Sequence, residues 1–308
     1  MSGCRTGGLR RRLAWVAAAV AGLAALPHSA AAGTAAGFVP PAESQMPGGS
    51  RGRLIRLGEQ LFVHSGALRG KYVGNGLSCN DCHLGRGRHA DAAPMWAAYA
   101  AYPASLGPAQ RADRLAGRIQ ACFVFSMNGT APPKHSRAVR ALVAYARWLA
   151  TGAPAGVSLP GRGYPNLPPP SAGPDPARGK KVYADKCAIC HGRDGAGQRA
   201  GTAIVFPPLW GKDSFNWGGG MHRIDTAAAF IKANMPLGQP NSLSDRQAWD
   251  VAAYMDRHER PQDPRYAGDL EDTRRSFHDH DCLYGRSVDG RRLGAHASGK
   301  PYDPWQLR

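Results

Sequence analysis

Residues 79–83 read CNDCH and residues 187–191 read CAICH. In each run two thiols precede an adjacent histidine, the pattern by which a chain holds haem through two thioether bonds while the histidine ligates iron from one side. A lone CxxC would also suit a redox dithiol or half of a zinc site. The histidine that follows, twice over and behind an export-type leader, favours haem over a disulfide or zinc. Cys79, Cys82 and His83 are therefore assigned to one covalent haem c, and Cys187, Cys190 and His191 to a second.

The start of the chain reads as that leader. Arg5, Arg10, Arg11 and Arg12 precede an apolar stretch from Leu13 to Leu26, and Ala30-Ala31-Ala32 offers a cleavage site. The apolar stretch is short and alanine-rich for a membrane span, and no other run approaches spanning length. The expectation is an exported, periplasmic protein with residues 1–32 as signal peptide and no stable membrane insertion. An uncleaved anchor is the weaker alternative. Of seven cysteines, Cys4 falls in the leader, four serve the haems, and Cys122 and Cys282 remain.

The 308 residues leave room for about two domains. The 39 glycines and 25 prolines point to loop-rich construction, as expected where haem fills much of the core. With 39 basic against 22 acidic residues the formal charge is +17, and residues 1–32 remove only four arginines of that excess. A basic exported protein attracts small oxyanions or an acidic redox partner. The basic residues are scattered rather than clustered, which argues against nucleic acid.

A weak internal repeat supports two domains. Gly58 and Phe62 recur as Gly179 and Tyr183, each pair on a predicted helix before a CxxCH run. In small cytochromes c this helix crosses the last helix of the domain, where glycine permits close approach and the aromatic fills the crossing. The first unit carries an inserted loop over roughly residues 63–78. Each unit ends in a predicted helix: residues 136–150, with Val139, Leu142, Val143, Ala146 and Leu149 on one face, and residues 244–258, opened by a Ser244/Gln247 capping box. The fold class is all-α, with two tandem cytochrome c domains (33–151 and 177–260) joined by a Pro/Gly-rich linker (152–176). A polar tail (261–308) either wraps a domain surface or stays disordered.

The group on the far side of each iron separates an electron carrier from a catalyst. In the second unit Met235-Pro236, in a loop before the final helix, is the favoured distal ligand, with Met221 and Met255 as rivals. The first unit has no Met-Pro and offers Met95, Cys122 and Met127. The segment 113–128 (DRLAGRIQACFVFSMN) reads as a helix on which Arg114, Arg118, Cys122 and Ser126 share one face at four-residue steps. Spacing alone favours Cys122 over Met127. It also leaves an open site, or one ligated by His64, His89 or His135.

Three stretches, YVGNGLSCNDCHL (72–84), RIQACFVFSMNG (118–129) and FIKANMPLG (230–238), together resemble the thiosulfate dehydrogenase family of dihaem cytochromes c. The likeness runs from about Arg53 to the tail. It implies histidine and cysteine on the first iron, here His83 and Cys122, and histidine and methionine on the second, here His191 and Met235. In the family that methionine sometimes exchanges with a neighbouring lysine. Here its neighbour is Asn234, and Lys232 is displaced by two positions. The implied activity joins two thiosulfates into tetrathionate, with Arg118 first and Arg114 next as anion-binding groups and Ser126 as a further donor. A thiolate ligand favours ferric iron and a thioether favours ferrous iron, so electrons would pass from the first haem to the second. They would then leave to an external acceptor such as a small cytochrome c or another high-potential redox protein. The Cys122 sulfur would also be a nucleophile toward the substrate's outer sulfur. The rival readings are a tetrathionate reductase, a dihaem carrier without substrate, and a dihaem peroxidase.

Overall fold

The computed structural model describes residues 37–295, apart from 202 and 280. The expected leader, with Cys4, and the end of the tail lie outside the described residues. The first half holds α1 (Gly49–Val63), the single turn α2 (Leu84–Gly87), α3 (Met95–Ala100), α4 (Pro108–Phe125) and α5 (Arg137–Leu149). The second half holds α6 (Pro176–Lys186), α7 (Ala188–His191), a small hairpin of β1 (Gln198–Ala200) and β2 (Ala203–Phe206), then α8 (Ile224–Asn234) and α9 (Asp245–Asp256). The tail adds α10 (Leu270–Phe277) and a second hairpin, β3 (Ser287–Val288) with β4 (Arg291–Arg292). The architecture is mostly helical, and among the described residues no helix is long and apolar enough to cross a membrane.

Local chemistry sets the helix ends. Ser136 Oγ accepts from the Val139 amide at the start of α5, and Ser244 and Gln247 cap α9 reciprocally. The helix α4 differs from the 113–128 expected. It opens earlier, at Pro108, whose ring suits the first helical position, and closes at Phe125.

The repeated glycines mark two equivalent crossings. A β-carbon on Gly58 would lie 2.1 Å from the Ala141 carbonyl oxygen of α5, and one on Gly179 would lie 1.9 Å from that of Asp250 in α9. Both distances are far inside contact, so α1/α5 and α6/α9 approach backbone to backbone. The aromatics one turn on fill the crossings. Phe62 packs 5.8 Å from Tyr145, and Tyr183 packs 5.4 Å from Tyr254 and 5.0 Å from Trp210.

Each half has its own core, around Trp96, Phe123, Tyr145 and Trp148 in the first and around Trp210, Trp249 and Tyr254 in the second. The separation is incomplete. Phe215, from the second half, is buried in the first core, where Leu159 of the linker also packs. The Pro/Gly-rich segment has no helix or strand between α5 and α6, as composition predicts, yet it is no free spacer. The Asp91 amide donates to Gly161 O at 2.8 Å and the Ala93 amide to Gly163 O at 2.7 Å. The tail is more ordered than its polar sequence suggests: α10 and the hairpin enclose a small cluster of Trp217, Cys282, Tyr284 and Leu293. Four spaced apolar residues leave no periodic signature, so sequence shows only polarity there.

Alanine in place of glycine stabilises an exposed helix by about 1 kcal/mol. At Gly58 the crossing should reverse the sign. Gly58→Ala is expected to destabilise by about 1–3 kcal/mol through overpacking, read as a lower denaturant midpoint in the haem-loaded protein.

Candidate functional site

A cavity of about 720 Å³ lies in the first half. Cys79, Cys82 and His83 line it from the end of the long connection between α1 and α2, and Arg118, Cys122 and the capping Ser126 line it from α4. His83 Nδ1 lies 2.7 Å from Ala93 O, a carbonyl that can only accept, so Nδ1 carries the proton and Nε2 keeps the lone pair. In the second half His191 Nδ1 makes the same contact with Pro207 O at 2.9 Å. Both CxxCH histidines are thus held as the tautomer that ligates iron through Nε2. The cysteines of the runs are free thiols, and apolar walls from Phe62, Leu77, Leu142 and Phe215 suit a porphyrin face. The donor set and its setting fit haem c. When bound, haem iron supplies one-electron oxidation and reduction.

Cys122 is half-buried. Burial pushes its thiol up, and the Arg118 guanidinium draws it down. Cys79 is pushed up to about 12, first by burial and further by its proximity to Cys122. Arg118 is exposed, so it stands where the cavity meets solvent. Arg114 shares its helix face but does not line this cavity. It borders a shallow depression with Leu106, Gln110 and Asp113. The one-turn offset carries Arg114 past the mouth, leaving Tyr102 as a neighbour of both guanidiniums.

The competing ligands separate in space. Met95 and Met127 line the first cavity, and Met127 is buried. His64, His89 and His135 are not among its lining residues. Met221 also lines this first cavity, and Met255 is packed in the second core. Met235 caps the end of α8, half-buried, and its peptide bond to Pro236 is cis. Asn234 is buried and donates to Asp91 O and Phe230 O, both at 3.0 Å. Lys232 reaches away to Leu243 O at 2.7 Å and Asp245 at 3.2 Å.

Three lining residues were not anticipated. Arg162 and Tyr164 come from the Pro/Gly-rich segment, and Arg223 precedes α8, ion-paired with Asp225 at 2.7 Å. Burial holds the Tyr164 hydroxyl far above its ordinary range, Cys82 and Cys122 add to that, and Arg118 opposes it. The only sequence signal was a tyrosine beside an arginine in a stretch otherwise rich in proline and glycine. No periodicity leads to Arg223.

Residues 174–255 match the family described as cytochrome c oxidase, cbb3-type, subunit III. The chain is 55% identical over 260 residues to the thiosulfate dehydrogenase of Stutzerimonas stutzeri strain A1501, spanning 83% of this chain and 85% of that protein. It is 48% identical over 274 residues to that of Thiomonas intermedia strain K12, spanning 89% and 87%. The chain belongs to the thiosulfate dehydrogenase family. The solved thiosulfate dehydrogenase TsdBA from Marichromatium purpuratum, in its as-isolated form, superposes with a TM-score of 0.78 at 50% identity. That match covers 84% of this chain and 57% of the TsdBA chain, so the chain spans little more than half of that protein.

In this family member a buried amide of the second half holds the end of α4. Asn216, fully buried, donates from Nδ2 to Val124 O at 2.9 Å and accepts the Gly218 amide on Oδ1 at 3.0 Å. Asn216→Ala strands both groups and should destabilise by about 1–3 kcal/mol. Its denaturation midpoint should fall while haem content per chain stays unchanged.

Proposed function

We propose that this chain oxidises two thiosulfates to tetrathionate. Two covalent haem c groups would be held by His83 with Cys122 and by His191 with Met235, and an external redox protein such as a small cytochrome c would accept the electrons. The carrying observation is that Cys122 and Arg118 share one cavity with the CNDCH run, so a sulfur donor and a substrate-facing cation meet at one redox centre. Family membership supports the substrate class. The arginine-then-apolar start of the chain and the CxxCH chemistry support a periplasmic location.

The reaction removes two electrons and forms one sulfur–sulfur bond. Two haems match that electron count. Bringing two dianions together is the harder problem: at 4 Å they repel by about 4 kcal/mol in water and by more in a drier cleft. Arg118 at the mouth answers it, since its planar fork holds sulfonate oxygens and stays charged. Arg162 adds positive charge to the cavity, Arg223 lines it with its charge offset by Asp225, and Ser126 adds a hydroxyl one turn beyond Cys122. Arg114 lies outside the lining and serves as a long-range attractor. Cys122 presents a sulfur whose negative form the neighbouring guanidinium favours.

Cys122→Gly should abolish thiosulfate-dependent ferricyanide reduction, assayed anaerobically, while both haems stay attached. Retained turnover, or a ferric spectrum without a thiolate-type signature in the unaltered protein, would make the chain an electron carrier instead. Arg118→Ala should raise KM for thiosulfate roughly ten- to a hundredfold, the scale of a lost hydrogen bond to a charged group. An unchanged KM removes Arg118 from the site.

A further inference from the structure

We propose that His222, His278 and Cys282 form a zinc site that clips the tail to the loop walling the first haem cavity. All three side chains are buried, and one ligand atom from each lies within 4.8 Å of the others. His278 and Cys282 lie four residues apart on the connection between α10 and β3, and His222 comes from the turn before α8, more than fifty residues earlier. Two imidazoles and a thiol brought together from two segments are the donor set that borderline-soft first-row ions take.

The hydrogen bonds assign the ring nitrogens. His278 Nε2 lies 2.8 Å from Asp263 Oδ2, so Nε2 carries the proton and the Nδ1 lone pair faces Cys282 Sγ at 3.3 Å. His222 Nδ1 lies 2.6 Å from Gly219 O, a carbonyl that cannot donate, so its lone pair is on Nε2. Each imidazole therefore has an outer proton fixed by a carboxylate or a carbonyl and an inner lone pair, the arrangement that orients metal-bound histidines. Asp263, also paired with Arg265 at 2.6 Å, completes a carboxylate–histidine–metal relay. Tyr284 stacks on the His278 ring at 4.2 Å and keeps its plane.

The spacing suits zinc. Tetrahedral bonds of about 2.3 Å to sulfur and 2.0–2.1 Å to nitrogen place donors about 3.3–3.6 Å apart. The His278–Cys282 pair is already at 3.3 Å, and the remaining donors, within 4.8 Å, close by about 1.5 Å at most. Binding converts the Cys282 thiol to thiolate and releases its proton. The consequence reaches the haem: Met221 and Arg223, on either side of His222, both line the first cavity. A metal at His222 fixes that wall.

Untagged, full-length protein with its haems attached is loaded with zinc sulfate, desalted, and measured for zinc and iron by plasma mass spectrometry. About one zinc per chain is expected, falling below about a tenth in Cys282→Ala and in His222→Gln. Zinc below a tenth in the unaltered protein, or copper retained in its place, overturns the assignment. Should the variants misfold, zinc-edge X-ray absorption of the unaltered protein decides: a single sulfur at about 2.3 Å supports the site, and a sulfur-free shell refutes it.

Discussion

The last carbonyls of a helix have no partner within it, and in α4 those carbonyls follow directly on Cys122. Those of Cys122 and Phe123 accept from the turn that follows, those of Val124 and Phe125 are taken by the other half of the molecule, and that of Ser126 by the loop before CNDCH. Asn216 Nδ2 reaches Val124 O, its backbone amide reaches Phe125 O at 3.3 Å, and Asn75 Nδ2 reaches Ser126 O at 2.9 Å and Ser214 O at 3.0 Å. Gly218 approaches the Phe125 ring so closely that a β-carbon would sit 2.4 Å from it. The turn bearing Cys122 is therefore clamped by amides that belong to two other segments. Everything proposed for the cavity depends on this clamp, because a sulfur donor must be held at a fixed depth to face a metal in one geometry.

Electrostatics then divides labour along one helix face. Cys122 sits inward, where burial opposes its ionisation, and Arg118 sits one turn outward, exposed, where it favours the anion. A guanidinium at the rim keeps most of its hydration until an anion arrives, so capture costs little desolvation. The same group lowers the proton affinity of His83, second to the effect of burial and alongside an opposing carbonyl bond. One cation thus acts on the Cys122 sulfur and on the His83 ring together. Arg114 shows how narrow the arrangement is, since one further turn removes it from the lining.

Much of this was legible in the sequence because covalent haem needs a fixed local motif and helices have a fixed period. The CxxCH runs, the paired glycine crossings at Gly58 and Gly179, the Ser136 and Ser244 caps and the shared face of Arg118, Cys122 and Ser126 all follow from spacing within about twenty residues. What escaped was non-local. Tyr164 and Arg162 enter the cavity because Gly161 and Gly163, with φ of 75° and 74°, turn their carbonyls onto Asp91 and Ala93. That pairing of a linker with a loop seventy residues away leaves no pattern in the chain. Met221 was grouped with the second unit by position, yet it packs into the first because the loop from Phe215 to Arg223 crosses over. The tail failed for another reason: it contributes three buried residues to a cluster around Trp217, too few to show a period.

Asn234 argues that the two haem sites are mechanically linked. Its side chain is short and buried, and its amide is committed to Asp91 O and Phe230 O, so it has neither the reach nor the freedom of a long cation. Asp91 lies two residues before Ala93, whose carbonyl fixes His83 Nδ1. The residue beside Met235 is thus hydrogen-bonded to the loop that orients His83. A displacement of Met235 would pull on Asn234, and through the bonds to Asp91 O and Ala93 O on the ring of His83. A short side chain committed to two carbonyls gives this position rigidity where a lysine would have reach.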